Sequence, residues 1–322
     1  MLKDTLFQEK HKEKITPYNQ QEMIFRCRLF CGSNTKRTSS RNTGKMDTVD
    51  SGKFPLIQEI LLEKKLAGKL IGHKLYYLPE TGSTNEEAFR LGVAGAPEGT
   101  VVLADSQTKG RGRMQRVWHS PAAANIYTSL ILRPHLPPTA APQISLAAGV
   151  AVAELLEQYC PGRVELKWPN DVLINGKKIC GILAQMKTAA ENVDFVVVGI
   201  GINVNMTKQH FPAEILEIAT SLISETGREF SRQDLIIELY ENFAKWYKKL
   251  LQNGFAVIKE KWLSLAPMIG QDVQIIFLNE KVAGKAIDLD EDGSLIIING
   301  KNKKLKITAG DSTILNKAQR QP

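Results

Sequence analysis

Hydrophobic side chains recur at helical spacing in three stretches of the 322-residue chain. The first covers residues 56–67 and the second residues 143–159, and each ends close to a glycine or proline that disfavours helix. The third follows Ser231, a favourable N-cap residue, and carries its apolar and aromatic residues on one side: Leu235, Ile236, Leu239, Phe243, Trp246 and Leu250. We therefore predict three helices whose aromatic side chains belong to the core rather than to a cofactor site.

Apolar runs between these helices predict strands. Residues 172–174 and 179–183 flank Asn175-Gly176, a dipeptide that favours the tight turn of a β-hairpin. The run from 195 to 202 is apolar almost throughout, which is typical of a strand buried on both faces. Because strands interleave with helices, the pattern predicts an α/β (α+β) domain built on a mixed β-sheet.

Beyond Pro267 the pattern changes to short runs with a period of two, which recur about every ten residues. Four such runs lie at 273–277, 282–287, 295–298 and 305–307. Asp292-Gly293 and Asn299-Gly300 are expected to form turns between them. The sequence predicts a small β-barrel domain at 269–322, after a larger domain at 51–268.

Residues 1–50 are polar and basic with little periodicity, so we expect an N-terminal extension without a fixed fold. They carry ten Lys/Arg against six Asp/Glu, and residues 301–322 carry six against one. Since the net charge of the whole chain is +8, the intervening residues are nearly neutral. The basic excess lies at the two ends, and we therefore predict no nucleic-acid binding. We also expect no membrane association, since no stretch resembles a spanning helix of about 20 apolar residues.

The four cysteines show no metal-ligand spacing and have no histidine partner (Cys27, Cys31, Cys160 and Cys180). A reduced, cytoplasmic setting fits this usage, and we expect Cys180 to be a buried small apolar residue within its strand. Organised sequence begins only after Met46, and we expect that residue to be the natural start.

A stretch rich in glycine and arginine, residues 109–120, carries the strongest chemical signal. It contains Gly110, Arg111, Gly112, Arg113, Arg116 and Trp118. Glycine lets a backbone turn sharply and approach a ligand closely, and arginine offers fixed forks of donors to carboxylates and phosphates. The stretch predicts a mobile loop that closes on an anionic ligand. A solvated basic surface loop is the alternative.

Two further motifs follow. Residues 167–171, Lys-Trp-Pro-Asn-Asp, place Asp171 at one end of the predicted hairpin and Lys178 near its other end, although an ordinary hairpin with a charged rim would look the same. Asn203 follows the buried strand, where it could bond a ligand or only its own turn. Neither glycine cluster completes a dinucleotide-binding fingerprint, and no Walker-type loop is present. Any nucleotide must be held in another way.

Together these segments resemble the motifs of biotin protein ligases, also called biotin–acetyl-CoA-carboxylase ligases or holocarboxylase synthetases. The family's Gly-Arg-Gly-Arg-x-Gly-Arg-x-Trp is matched from Gly110 to Trp118, Lys-Trp-Pro-Asn-Asp at 167–171 and Lys-x-x-Gly-Ile-Leu at 178–183. The family's Gly-x-Gly-x-Asn is matched at 199–203, and its Ser-Thr-Asn upstream at 83–85. One departure is Gln115, which stands where the family usually has glycine and is expected to reduce loop flexibility. The resemblance covers roughly residues 70–315.

The resemblance implies a catalytic domain like those of class II aminoacyl-tRNA synthetases and lipoate ligases, with an SH3-like barrel after it. It implies that the biotin carboxylate attacks the α-phosphate of ATP, giving biotinyl-5′-adenylate and pyrophosphate. A lysine of a biotin carboxyl carrier domain then takes the biotin and leaves AMP. Biotin, ATP and Mg²⁺ are the implied ligands, the carrier domain is the implied partner, and a homodimer is possible. Residues 1–50 offer no three amphipathic helices, so we expect the form without the N-terminal DNA-binding domain.

The resemblance also assigns the charged residues. Arg113 and Lys178 match the positions nearest the carboxylate and phosphate, with Arg111 and Arg116 as further cations. Asp171 would orient the incoming lysine ammonium, and it could also contact Mg²⁺, which the phosphates would mainly hold.

Neutral residues complete the implied site. Ser83, Thr84 and Gln107 match contacts to the biotin urea, although Ser83 or Thr84 also suits the N-cap of a following helix. The other implied contacts are Asn85, Gly110, Gly112, Trp118, Gly181 and Asn203. Trp118 would pack on the adenylate or anchor the closed loop, and Phe211, within residues 205–213, would cover the adenine. A lipoate ligase and a transcription regulator are the alternative functions.

Overall fold

The computed structural model describes residues 57–189, 192–277 and 280–315, all within one compact unit, Asp47–Pro322. The predictions for residues 1–50 and for Met46 lie outside the described residues. The described part forms α1 Glu59–Leu66, α2 Thr84–Val93, α3 Ala141–Glu157, α4 Leu222–Thr226, α5 Arg232–Asn253 and α6 Phe255–Ser264. The three predicted helices are confirmed as α1, α3 and α5, and the Ser231 hydroxyl caps α5 by accepting from the Asp234 N–H.

Twelve strands within the described ranges fall into two sheets. They are β1 Lys74–Thr81, β2 Thr100–Gln107, β3 Ile126–Leu132, β4 Val164–Lys167, β5 Asp171–Ile174, β6 Lys177–Ala189, β7 Asn192–Ile202, β8 Asp272–Phe277, β9 Glu280–Leu289, β10 Leu295–Ile298, β11 Lys304–Ile307 and β12 Asp311–Ile314. The larger sheet has the order β1-β2-β3-β7-β6-β5-β4, with β1 and β2 parallel and the other pairs antiparallel. The predicted mixed sheet is confirmed.

Local sequence explains two central features of this sheet. The apolar run predicted as a buried strand is β7, which pairs with β3 on one side and β6 on the other. Asn175 and Gly176 join β5 to β6 with φ values of 51° and 74°, and positive φ at both residues is what a tight type I′ hairpin turn requires. The hairpin that carries Asp171 and Lys178 is therefore formed as predicted.

Helix α3 packs against α5 and against β6, and most of its residues are buried. Residues 138–157 are long and apolar enough to cross a membrane, contrary to the expectation that no stretch would be. Of their most apolar 18-residue window, 72% is buried inside the protein. A helix covered on nearly every side by its own chain needs an apolar surface all round, which accounts for the composition.

A substitution in the middle of α3 is expected to stabilise the protein. Alanine at Gly149 would place its Cβ 3.5 Å from Leu166 and 3.8 Å from Ile182, which are ordinary van der Waals distances. Because glycine is a poor helix former, we expect Gly149→Ala to raise the free energy of unfolding by about 0.5–1 kcal/mol, measured by denaturant titration. A fall in stability would show that the surrounding side chains cannot accommodate the methyl group.

The smaller sheet is antiparallel with the order β11-β10-β9-β8-β12. Its first four strands correspond to the four predicted runs, whereas β12 was not predicted. Its sequence, Asp-Ser-Thr-Ile, lacks apolar alternation, because the buried residue is Ser312, whose hydroxyl donates to the Trp168 carbonyl at 2.6 Å. Strand β12 thus joins the C-terminal sheet to the segment before β5.

Candidate functional site

A cavity of about 490 Å³ brings nearly all the implied site residues together. It is lined by Ser83, Thr84, Asn85, Gln107, Arg111, Gly112, Arg113, Arg116, Trp118, Asp171, Lys178, Gly181 and Asn203, among others. Gly110 is not among the lining residues. A Cβ at Gly110 would lie 2.4 Å from the Trp118 carbonyl oxygen and 2.6 Å from the Ser120 Oγ. Glycine is needed there for close packing at the base of the arginine loop, residues 109–120, and its implied backbone contact with the ligand stays a prediction.

One wall of the cavity is polar. The Thr84 backbone N–H and hydroxyl donate to the Gln107 Oε1 at 2.9 and 3.1 Å. Ser83 occupies the N-cap position of α2 with extended backbone, but within residues 57–189 its side chain makes no capping hydrogen bond. The predicted N-cap position is therefore confirmed at Ser83, although its side chain does not cap the helix, and Ser83 is also a polar lining residue of the cavity.

Asn85 lies in the same wall, and the protein itself uses its amide. Its Nδ2 donates to the Leu183 carbonyl at 3.1 Å and to the Gln185 Oε1 at 3.0 Å, while its Oδ1 accepts from the Ser129 hydroxyl at 2.6 Å. A Cβ at Gly199 would lie 1.9 Å from this Oδ1, so only glycine fits opposite. Asn85 fixes the start of α2 onto the sheet.

The arginine loop is closed by a hydrogen bond from the Gly112 N–H to the Arg116 carbonyl at 2.7 Å. Between them, Met114 and Gln115 have φ values of 53° and 60°. This left-handed conformation costs a residue with a Cβ about 1–2 kcal/mol. Gln115 is the position where the family usually has glycine, so the departure places a strained residue at the tip of the loop.

Two loop arginines reach the C-terminal sheet. The Arg113 guanidinium donates to the Asn170 Oδ1 at 3.1 Å and to the Gly310 carbonyl at 3.3 Å, and it lies 3.5 Å from the Asp311 carboxylate. Arg116 forms an ion pair with the same carboxylate. Burial lowers the pKa of Arg113 from its ordinary value, against the opposing effect of Asp311. One carboxylate from β12 therefore holds two cations at the cavity.

Two other ion pairs lie in the site. Lys178 Nζ is 2.6 Å from Asp171 Oδ1, because the lysine side chain extends back along the hairpin from its turn end. Arg111 pairs with Glu86 at 2.7 Å, and both side chains are about half exposed. The sequence placed Asp171 and Lys178 on one hairpin, but it did not predict that they would bind each other.

The Trp118 indole lies in a slot between two glycines of neighbouring strands. A Cβ at Gly201 would lie 2.6 Å from the indole Nε1, and one at Gly181 would lie 3.0 Å from its six-membered ring. Lys178 Nζ is 5.4 Å from the ring centroid. Of the two roles expected for Trp118, this packing provides the anchor that fixes the loop onto β6 and β7.

The start of β6 is hydrogen-bonded to residues 218–220, in the segment that follows β7. Lys178 donates its N–H to the Ile218 carbonyl at 2.8 Å, and its carbonyl accepts from the Thr220 N–H at 2.9 Å. Asn203 Nδ2 donates to the Thr220 carbonyl at 3.0 Å, and only 4% of the Asn203 surface is exposed. The Asn203 amide therefore bonds the segment beside Lys178 rather than its own turn, and Asn203 also lines the cavity.

Apolar residues of this segment form another part of the cavity. Phe211 is 7% exposed and packs with Met206 and Ala124. The cavity thus combines a polar wall, a cationic loop and an apolar portion. Such a cavity can bind a ligand that carries both an anionic group and an apolar ring.

Residues 77–203 match the Biotin/lipoate A/B protein ligase family, and residues 268–311 match the Biotin protein ligase C terminal domain. The Bifunctional ligase/repressor BirA of Bacillus spizizenii is 43% identical over 232 residues, which span 72% of this chain and 71% of that protein. The Biotin--[acetyl-CoA-carboxylase] ligase of Paracoccus denitrificans is 35% identical over 223 residues, 68% of this chain and 92% of that protein.

A solved structure is also similar. The biotin protein ligase from Aquifex aeolicus in complex with biotin and ATP has a TM-score of 0.64 and 32% sequence identity, covering 75% of this chain and 98% of that one. The family matches lie in both sheets, and the relatives extend over most of the described residues. The chain belongs to the biotin protein ligase family.

Proposed function

We propose that this protein forms biotinyl-5′-AMP from biotin and ATP and then transfers the biotin to a lysine of the biotin carboxyl carrier domain of biotin-dependent carboxylases. The observation that supports the proposal is that Thr84, Gln107, Lys178 and the arginine loop line one cavity. Relatives named for this reaction include those of Paracoccus denitrificans and Mycobacterium tuberculosis, 35% and 33% identical. The chain is accordingly an enzyme, an ATP-dependent ligase.

The polar wall favours biotin over lipoate. A urea needs paired hydrogen-bond partners in a dry pocket, and Ser83, Thr84 and Gln107 line the cavity with hydroxyl and amide groups. Lipoate has no urea to satisfy these groups. A regulator without enzymatic activity would leave the assembled cations without a role. The absence of nucleic-acid binding depends on residues outside the described part, and it stays a prediction.

Adenylation brings two anions together, so its main requirement is placed positive charge. Lys178 and Arg113 supply that charge, with Arg111 and Arg116 around them. Because Lys178 is bound to Asp171 and Arg113 to Asp311, each cation is held in place by a carboxylate that phosphate oxygens can replace. The guanidinium forks suit that exchange, since they bind phosphates as readily as carboxylates.

Transfer requires an uncharged lysine amine at the mixed anhydride. Once Lys178 turns to the phosphate, the Asp171 carboxylate is free to bind the ammonium of the carrier lysine. It would orient that group while the proton leaves to solvent, and the nitrogen then attacks the biotinyl carbonyl as AMP departs. Asp171 thus binds Lys178 before ATP enters and the carrier lysine during transfer.

Mg²⁺ is part of the proposal. Among the described residues, no cluster of three or more His, Cys, Asp or Glu side chains could hold a metal by itself. Mg²⁺ commonly binds through one or two carboxylates together with substrate phosphates, and Asp171 beside the triphosphate fits that pattern. When bound, the ion would screen the charge of the triphosphate.

A cytoplasmic location and a homodimer belong to the proposal as well. Residues 184–189 of β6 extend past β5 and, within the described ranges, pair with β7 alone. An open strand edge of this kind can pair with another chain. Light scattering of the purified protein, alone and with biotin and ATP, would test the homodimer.

The activity is tested by the intact mass of a biotin carboxyl carrier domain after incubation with this protein, ATP, Mg²⁺ and either biotin or lipoate. We expect the addition of one biotin, abolished when the acceptor lysine of the carrier is replaced. Addition of lipoate alone would agree with the fold but would show that the substrate is lipoate and not biotin. No addition of either would overturn the proposed function.

Arg113 is expected to retain the intermediate. In Arg113→Ala the loop loses its contacts with Asn170 and Gly310, and the adenylate loses a charged donor. A hydrogen bond to a charged group contributes about 1.5–3 kcal/mol, so release of biotinyl-5′-AMP should accelerate about tenfold or more. Rapid filtration of preformed complex measures this rate, with Arg90→Ala on the exposed side of α2 as the control. Parent-like retention would contradict the proposed role.

A further inference from the structure

We infer that Ser120 is a positioning residue that fixes the orientation of the Gln107 amide and thereby sets the affinity for biotin. This inference rests on the proposed function. Ser120 is 8% exposed and is not among the residues that line the cavity. It acts through Gln107, which lines the cavity directly.

The orientation follows from the direction of each hydrogen bond. The Ser120 hydroxyl donates to the Trp118 carbonyl oxygen at 2.9 Å, and a carbonyl can only accept. The Ser120 Oγ has therefore used its one proton and must accept from Gln107, whose Nε2 lies 3.0 Å away. The amino half of the Gln107 amide is thus assigned to the Ser120 side.

The other end of the amide is fixed by a second donor. The Thr84 backbone N–H can only donate, and it lies 2.9 Å from the Gln107 Oε1, which also accepts from the Thr84 hydroxyl. A flipped Gln107 would face Thr84 with donors and Ser120 with an acceptor, and both contacts would be lost. Ser120 and Thr84 therefore select the same orientation from opposite sides.

This arrangement determines what Gln107 can offer a ligand. Its oxygen already accepts twice, and one amide proton is donated to Ser120, so the second N–H is the group left for binding. An N–H donor suits a neutral acceptor such as a urea oxygen. Without the Ser120 hydroxyl, the Gln107 side-chain amide could flip. It would then present its oxygen to the ligand, in place of the N–H, for part of the time.

Gly110, at the base of the arginine loop, leaves room for the hydrogen bond between Ser120 and Gln107. A Cβ at Gly110 would lie 2.6 Å from the Ser120 Oγ and 3.2 Å from the Gln107 Nε2, so glycine leaves the space that their hydrogen bond occupies. The Gln107 N–H also donates to the Ser120 carbonyl at 3.3 Å. The two residues are thus joined through backbone and side chain, and removal of the hydroxyl leaves the backbone link.

The test is biotin binding measured by calorimetry without ATP, for the parent, Ser120→Ala, Gln107→Ala and the double variant. We expect S120A to weaken biotin binding about three- to tenfold, as loss of one hydrogen bond would, with the KM for ATP unchanged. In the Q107A background, S120A should have no further effect. Ser106→Ala, one residue before Gln107 and partly exposed, is the control and should bind like the parent. Ser120→Thr retains the hydroxyl and should restore affinity.

Each contrary result has a distinct meaning. A parent that binds no biotin would overturn the proposed function and the inference with it. A parent that binds biotin while S120A binds equally well would overturn the inference alone. Equal losses from S120A in the parent and Q107A backgrounds would also overturn it, because Ser120 would then act independently of Gln107. Should S120A fail to fold, weak binding by a folded S120T variant would count against the hydroxyl's role and parent-like binding would support it.

Discussion

Replacement of Lys178 by alanine is expected to lower the rate of biotinyl-adenylate formation by about 10²- to 10³-fold, the usual effect of removing one placed donor from a transition state. The ammonium is held 2.6 Å from Asp171 and close to the Trp118 ring. It needs little rearrangement to meet an incoming phosphate. The variant also leaves Asp171, whose side chain is 18% exposed, without its cation beside the approaching anion. Both effects oppose adenylation.

Lys177 provides the matched control for this prediction. It precedes Lys178 in β6, but its side chain points to Glu217 at 4.0 Å, a distance at which a partly exposed pair contributes little. Pyrophosphate release in the presence of biotin and ATP measures the first step without the carrier. Lys177→Ala should retain parent-like rates. Equal rates for K178A and the parent would remove Lys178 from the proposed chemistry.

The second large effect is expected at Gly201. Alanine there would place its Cβ 2.6 Å from the Trp118 Nε1, so the indole must leave its slot or β7 must shift. Overpacking of this kind costs about 1–3 kcal/mol. Because the indole fixes the arginine loop, we expect that cost to appear in catalysis as a ten- to hundredfold lower kcat/KM for ATP, at about 1.4 kcal/mol for each factor of ten.

Gly149→Ala is the natural comparison for Gly201→Ala. Both add one methyl group, at the buried Gly149 and at the half-buried Gly201, but only the methyl at position 201 meets the arginine loop. Steady-state kinetics and thermal melting of both variants separate the effects. A G201A variant with parent-like kcat/KM would mean that the anchoring of Trp118 is unnecessary for catalysis.

The implied site residues that line the cavity could be predicted because they match short motifs of the family, and the local structure of some motifs follows from neighbouring residues. Asn175 and Gly176 determine the hairpin turn, and the turn places Lys178 at the start of β6. Glycines 199 and 201 lie within β7, where they leave space for Asn85 and Trp118. Spacing within a strand is enough to predict such positions.

The partners of these residues could not be predicted, because the tertiary fold selects them. Asp311 lies 195 residues from Arg116, in a strand whose only large apolar side chain is Ile314. Asn203 follows a strand end, where local rules favour a turn bond, yet it pairs with Thr220. Ser83 occupies an N-cap position without a side-chain cap bond, whereas the N–H of its neighbour Thr84 is bound to the distant Gln107. In each case a contact between distant segments replaces the local one.

Because Trp118 lies between the two glycines, its fluorescence can report on the arginine loop. Of the four tryptophans in the chain, Trp168, Trp246 and Trp262 are only 2–6% exposed. Trp118 is less deeply covered and stands beside the charge of Lys178. An anion that draws Lys178 away would change the electric field across one indole and leave the other three undisturbed. The intrinsic emission of the unmodified protein should therefore report ligand binding in real time, and a Trp118→Phe variant should be silent.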